Sequence, residues 1–394
     1  MRHRVHHIRS ILTALLTVLL FLTFAACGSK EEEASGDPAE RANATATTEA
    51  PVTEAPPTLE RANRLLADGE YGEAIDVFTA LIELEPENAG AWFGRAEARR
   101  HITFPGNEDV RADYDRAIEL DPENAASYNG RGLHTNGTEY KDALADFTKA
   151  IALAPDIAEY YINRGNVYSQ YYFDDDNYEK RAYADFEKAI ALTPEDPEAY
   201  IARGDFYVRI KYYGSDYRET WSWALKDYDK AIDLLGDAVT HDVYSKRAEA
   251  NTNGEKYKPA LADIDKALEM AAAEGDKPTA HIYLQRTGVC YEMDDYRQTI
   301  ADAAMACEHY ADESVYYSFY NYSAVALNYS GLAHYFLKEY DKAVEDYSAA
   351  IEMKESGRSA YMVNAQYLYT NRADAYDKLG KRDLARADRA KADE

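Results

Sequence analysis

The sequence is short of cysteine, of positive charge and, beyond residue 26, of long apolar runs. Three Cys in 394 residues cannot build a disulfide framework or a four-Cys zinc site. Lys and Arg total 44 against 71 Asp and Glu, a formal charge of −27. Such a surface repels DNA, RNA and anionic headgroups, which excludes nucleic-acid partners and favours basic ones. Past the N-terminal segment, His101, His134, His241, His281, His309 and His334 share no metal-type spacing, and no HExxH occurs. Gly130-Arg131-Gly132 starts like a phosphate loop, but its third Gly arrives only at Gly137 and no strand precedes it. The acidic loop Asp174-Asp175-Asp176-Asn177 lacks the Gly and the distant Glu of a calcium loop, and reads as a solvated insertion. Cys290 and Cys307 read as small buried apolar residues, with a disulfide between them as the alternative. No catalytic residue, metal site or cofactor is expected, and the chain reads as non-enzymatic.

The N-terminus sets an address. Arg2, Arg4 and Arg9 precede the apolar run from Ile11 to Ala26, a length that suits a signal peptide better than a membrane span. The run closes in Phe24-Ala25-Ala26-Cys27-Gly28, which resembles a bacterial lipobox, with Phe24 where Leu is usual. The resemblance implies acylation of Cys27, a palmitate-type lipid anchor, and attachment to the cell membrane on its extracytoplasmic face, outer surface or periplasmic side. Removing three Arg and no acid takes the formal charge from −27 to −30, so the lipid supplies an anchoring that charge opposes. Residues 1–27 are thus a lipoprotein signal. Residues 28–57 carry four Pro and no aromatic and cannot bury enough surface to fold, so they read as a disordered acidic tether. Such a tether spans roughly 30 Å on average.

Residues 58–394 repeat one motif. Pro86, Pro122, Pro155 and Pro194 follow similar apolar stretches at spacings of 36, 33 and 39. Tyr161-Ile162-Asn163-Arg164-Gly165 recurs as Tyr200-Ile201-Ala202-Arg203-Gly204 and as Tyr369-Thr370-Asn371-Arg372-Ala373. Downstream, Ala143/Phe147/Ala150 recurs as Ala182/Phe186/Ala189 and Ala343/Tyr347/Ala350. This joint pattern resembles the tetratricopeptide repeat (TPR). The resemblance implies an all-α fold, an α-solenoid of about nine helix-turn-helix units in a right-handed superhelix. The small residues let paired helices approach while the aromatics fill the adjoining hollows. Much of the unusual tyrosine content, 35 residues, falls on motif positions.

One feature departs from the family pattern. Arg precedes the small residue of the first helix where Leu is usual, and Asp precedes the aromatic of the second. The pairs Arg95/Asp113, Arg131/Asp146, Arg164/Asp185, Arg203/Asp227, Arg247/Asp263, Arg286/Asp302 and Arg372/Asp388 suggest a structural ladder of ion pairs, which would withdraw those Arg from any anion site. The alternative is a row of solvated charges at positions that tolerate them.

The TPR resemblance implies that first helices line a groove for peptides or partner proteins. First-helix spacing places Phe93, Asn129, Ile162, Asn166, Ser245, Glu249, Leu284, Tyr291, Asn328, Tyr335 and Thr370 on it. Of the family's carboxylate clamp this chain has Asn163 and Asn166 but no matched Lys and Arg on adjacent first helices. A second candidate surface is the tyrosine excess of residues 310–369, with Tyr316, Tyr317 and Tyr320 outside the motif. Exposed Tyr suits protein contacts and also stacks on sugars. The expected function is a membrane-anchored, non-enzymatic scaffold or adaptor that binds a protein or peptide. The alternative is a solute- or glycan-binding lipoprotein.

Overall fold

The nine expected helix pairs have counterparts in the helices. The computed structural model describes residues 56–393 apart from 136, 172–174, 176, 211–216, 274–279, 313–321 and 357–363. Among the described residues there are eighteen α-helices and no strand. The signal, Cys27, nearly all of the tether, and Tyr316, Tyr317 and Tyr320 lie outside them.

The chain divides into two compact units at Pro194/Glu195. In the first unit, α1 (Leu59–Ala67) pairs with α2 (Tyr71–Leu84), and α3 (Ala89–Ile102) with α4 (Glu108–Leu120). There α5 (Ala125–His134) pairs with α6 (Tyr140–Leu153), and α7 (Ala158–Gln170) with α8 (Tyr178–Leu192). The second unit opens with α9 (Pro197–Ile210) on α10 (Tyr217–Leu235) and α11 (His241–Asn253) on α12 (Tyr257–Ala273). It continues with α13 (Ala280–Glu292) on α14 (Tyr296–Asp312), α15 (Ser323–Phe336) on α16 (Tyr340–Glu355), and α17 (Ala365–Lys378) on α18 (Arg382–Asp393). The all-α solenoid class follows from this repetition of pairs. No described helix is long and apolar enough to cross a membrane.

Local chemistry fixes where the helices begin and end. Asn88, Asn107, Asn124 and Asn364 cap α3, α4, α5 and α17 by accepting amide hydrogens of the first turn. The motif aromatic then closes the preceding turn: Trp92 Nε1 donates to the Pro86 carbonyl at 2.9 Å, and Tyr161 Oη to that of Pro155 at 3.0 Å. Turns within a pair reuse one geometry. The amides of Glu70, Lys256, Asp295, Glu339 and Lys381 each donate to a carbonyl five residues back. The residue before each donor is left-handed: Gly69, Glu255, Asp294, Lys338 and Gly380. Three of those five positions therefore hold a side chain where glycine is easier.

Packing within a pair follows size. The second-helix aromatics Phe147, Phe186, Tyr228 and Tyr347 are almost fully buried. A Cβ on the facing Gly132, Gly165, Gly204 or Gly331 would lie 2.9, 2.9, 2.8 or 2.6 Å from their rings. Gly130 likewise sits under Tyr114, so Gly130-Arg131-Gly132 is helix-contact sequence. Each buried ring contributes about 1.5–3 kcal/mol over an exposed one.

Candidate partner-binding face on the first helices

All seven Arg/Asp pairs are bidentate. Nε–Oδ2 distances run from 2.8 to 3.0 Å and Nη2–Oδ1 distances from 2.6 to 2.8 Å. The carboxylates are not solvated surface charges. Asp113, Asp146, Asp185, Asp227, Asp263, Asp302 and Asp388 are all buried, so they are structural and none of them lies open to a partner. Asp302, the most enclosed at 1% exposed, also accepts from Gln298 Nε2 at 2.9 Å on its own helix. Arg203 holds Asp227 within the fifth pair, and Arg372 holds Asp388 on the last helix. Burial is affordable because each carboxylate meets a guanidinium in two parallel hydrogen bonds.

Each guanidinium lies over the aromatic three residues earlier: Trp92, Tyr128, Tyr161, Tyr200, Tyr244, Tyr283 or Tyr369. In six of the pairs the third nitrogen crosses to the preceding pair's second helix. Arg131 Nη1 reaches Asp115 at 2.6 Å, Arg164 reaches Thr148 at 3.2 Å, Arg247 reaches Asp229 at 2.7 Å and Arg372 reaches Ser348 at 2.9 Å. Arg95 to Thr79 and Arg286 to Asp265 follow the same rule. Each of these six rungs thus ties three helices. Hydrogen bonds donated to Asp146 and Asp263 hold Arg131 and Arg247 more firmly charged than usual, whereas burial raises the Asp185 carboxyl despite Arg164.

Seven of the eleven sequence-predicted groove residues are buried. Ile162, Leu284, Asn328, Ser245 and Asn129 are buried, as are Tyr291 and Glu249. Asn163 Nδ2 donates to Asn129 Oδ1 at 2.9 Å, and Asn371 Nδ2 donates to Asn328 Oδ1 at 3.1 Å. Ser245 Oγ donates to Gln285 Oε1 at 2.7 Å. In all three, the position two before the ladder Arg, or before Ser330 in its place, meets the position one before it in the next pair. This register faces a neighbouring first helix, because two residues turn a helix by about 200°. Tyr291 packs among Tyr296, Tyr329 and Phe336. Phe93 lies half-buried against Tyr114, Tyr335 is half-buried against Phe336 and Tyr340, and Thr370 bonds back to its own helix. Asn166 is the one of the eleven that is exposed.

The charged face lies on other positions of the first helices. Glu159, Glu198 and Asp242 each stand five residues before a ladder Arg, a recurrence readable in the sequence. In the second unit, Lys246 Nζ sits 2.5 Å from Asp205 Oδ2 and 3.9 Å from Asp242 Oδ2, while Tyr228 Oη donates to Asp205 Oδ1 at 2.6 Å. Burial works against the Lys246 ammonium, but the Asp205 and Asp242 charges overcome it, so its pKa is raised. Burial also raises the carboxyls of Asp242 and Glu198, reinforced by neighbouring acids. Asp205 and Asp242 lie beside Lys246 and the Glu198 charge also acts on it, so three carboxylates act on one ammonium across α9 and α11.

Among the described residues no group of three His, Cys, Asp or Glu could hold a metal. Cys290 and Cys307 are free thiols, pushed up to about 12 and about 11, chiefly by burial, which leaves them poor nucleophiles.

Paired helices stacked through a repeated register define a helical-repeat protein. Residues 59–102 and 326–356 match tetratricopeptide repeat family models. These two segments are tetratricopeptide repeats, and such repeats support a protein-interaction scaffold. No curated protein sequence matches it. Among solved structures it is similar to a tetratricopeptide repeat protein from Parabacteroides merdae at 18% identity and a TM-score of 0.49, covering 70% of this chain and 96% of that one. The Cut9–Hcn1 hetero-tetramer of the APC/C aligns at 17% identity and a TM-score of 0.48, over 84% of this chain and 58% of that one. PilW, a type IV pilus biogenesis factor, aligns at 16% identity and a TM-score of 0.46, over 54% of this chain and 90% of that one.

Proposed function

We propose that the protein is a lipid-anchored, extracytoplasmic adaptor that receives a basic protein or peptide segment on its first-helix face. The observation that carries the partner's chemistry is the group Glu198, Asp205 and Asp242 about Lys246, where the acids outnumber the single cation. Recruiting a Lys or Arg side chain there relieves mutual repulsion among carboxylates already disfavoured by burial. The seven ladder guanidinium groups are engaged with carboxylates and do not compensate this charge.

The anchor rests on the lipobox-like end at Cys27, which implies that the array is held off the membrane by the tether. Crosslinking in the native cell followed by mass spectrometry tests the adaptor role, comparing wild type with Glu198→Lys/Asp242→Lys. A basic protein crosslinked to wild type and lost from the variant is the expected result. Unchanged crosslinks in the variant would place the partner elsewhere. For the anchor, Cys27→Ala should abolish labelling by an alkyne fatty acid and move the protein out of the membrane fraction. Retention of both label and membrane association in that variant would remove Cys27 as the anchor.

A further inference from the structure

The eighth helix pair, α15 with α16, departs from the ladder in a coordinated way. Ser330 stands where seven other pairs have Arg, Leu327 where they have the stacking aromatic, and Ala304 where the preceding pair would offer a third acceptor. The carboxylate of the rung is kept. Asp346 accepts a hydrogen bond from Ser330 Oγ at 2.7 Å and faces His334 Nε2 at 3.8 Å. The other imidazole nitrogen, Nδ1, lies 2.8 Å from Glu339 Oε2. His334 is 8% exposed, and its own carbonyl accepts the Glu339 amide at 2.9 Å, so ring and backbone hold the same turn. The position four after the rung Arg meets the same carboxylate elsewhere: Arg99 reaches Asp113 at 2.7 Å, and Asn251 reaches Asp263 at 3.1 Å. In the eighth pair that position holds an imidazole, which is charged only when protonated.

We propose that His334 makes the eighth repeat a pH-sensitive joint: its protonated ring bridges Asp346 and Glu339 and locks α15 onto α16, and deprotonation loosens the pair. An imidazolium donates from Nδ1 to Glu339 and turns a positive Nε2–H toward Asp346 at ion-pair distance, whereas a neutral ring that keeps the Nδ1 proton turns a lone pair toward Asp346. The lock is present with the ring protonated and is lost when the ring gives up its proton. Burial acts in the same sense, because it raises the Asp346 carboxyl and makes its charged form depend on a nearby donor. The other charged groups about the ring on α16 are Lys342, bonded to Glu339 at 3.0 Å, and Glu345 beside Asp346. From α14 the Cys307 thiol senses Asp346, and from α17 Asp374 acts on the adjacent Tyr335 and Tyr347. From α13, Glu292 acts on Tyr329 of α15.

Hydrogen exchange of the full chain, followed by mass spectrometry and corrected for intrinsic rates, tests the joint at about pH 5.5 and about pH 8. Exchange in α15 and α16 should rise about five-fold at the higher pH, with α11 and α12 changing less than about two-fold. His334→Gln should flatten the response of α15 and α16. Ser330→Arg, which supplies a permanent cation to Asp346, should flatten it independently. Equal corrected exchange of α15 and α16 at both pH values in the wild type, or a wild-type response in His334→Gln, would overturn the proposal.

Discussion

The sixth and eighth helix pairs share a fold element and differ in how it is fastened. In the sixth, Asp263 takes both arms of Arg247 and the amide of Asn251, and Arg247 reaches on to Asp229 in the fifth pair. In the eighth, Asp346 has a hydroxyl and an imidazole, both from its own pair. Both pairs bury a small residue with a large apolar one, Gly331 under Tyr347 in the eighth and Ala248 with Ile264 in the sixth. The difference teaches that the motif's apolar code sets the fold within a pair, while the Arg/Asp rungs add fastening between pairs that can be withdrawn locally.

The largest expected effect comes from breaking a full rung. Asp263→Ala leaves Arg247 partly buried without its main carboxylate and should cost about 3 kcal/mol, while Asp346→Ala should cost about 1 kcal/mol. Urea unfolding read by helix-resolved hydrogen exchange measures both, and equal costs would erase the contrast. Next in size is a change that ignores the rungs. Gly331→Ala puts a Cβ 2.6 Å from the Tyr347 ring and should cost about 2 kcal/mol, whereas Gly72→Ala meets nothing within 4 Å and should leave the melting temperature level or slightly higher. If Gly331→Ala is also silent, the close approach is softer than it looks. The smallest effect is a gain: Lys338→Gly relieves a side chain at φ 65° and should add up to about 1 kcal/mol in a thermal melt. A loss there would mean that Lys338 contributes more through its contacts than its backbone costs.

The repeat was legible because its signals are local: a small residue in one helix, an aromatic in the next and a Pro after the pair lie within a single period. The Arg/Asp register could be read for the same reason. The groove could not. Whether Asn129 or Leu284 points to solvent or to a neighbouring helix depends on the rotation between successive pairs, which no single period encodes. Tyrosine had the same difficulty. Tyr71 stacks on His101 at 4.5 Å, Tyr140 on Tyr171 at 4.0 Å and Tyr296 on Phe336 at 5.2 Å, each reaching from a second helix into the following pair. Within the tyrosine excess, Tyr310 packs against Tyr322, and Tyr329 and Tyr369 are buried, so those rings are core; Tyr316, Tyr317 and Tyr320 lie outside the described residues.

The third nitrogen of the rungs bears on how such a chain can grow. Each of these six modules carries a plug toward the module before it, and the Thr, Asp or Ser two residues beyond the rung position is the socket for the module after it. A tandem duplication of one module therefore arrives with both halves of its connector, and the copy can seat without compensating changes in its neighbours. Ala304 and Ser330 show the converse: socket and plug are missing together at one junction, so neither is left without its mate.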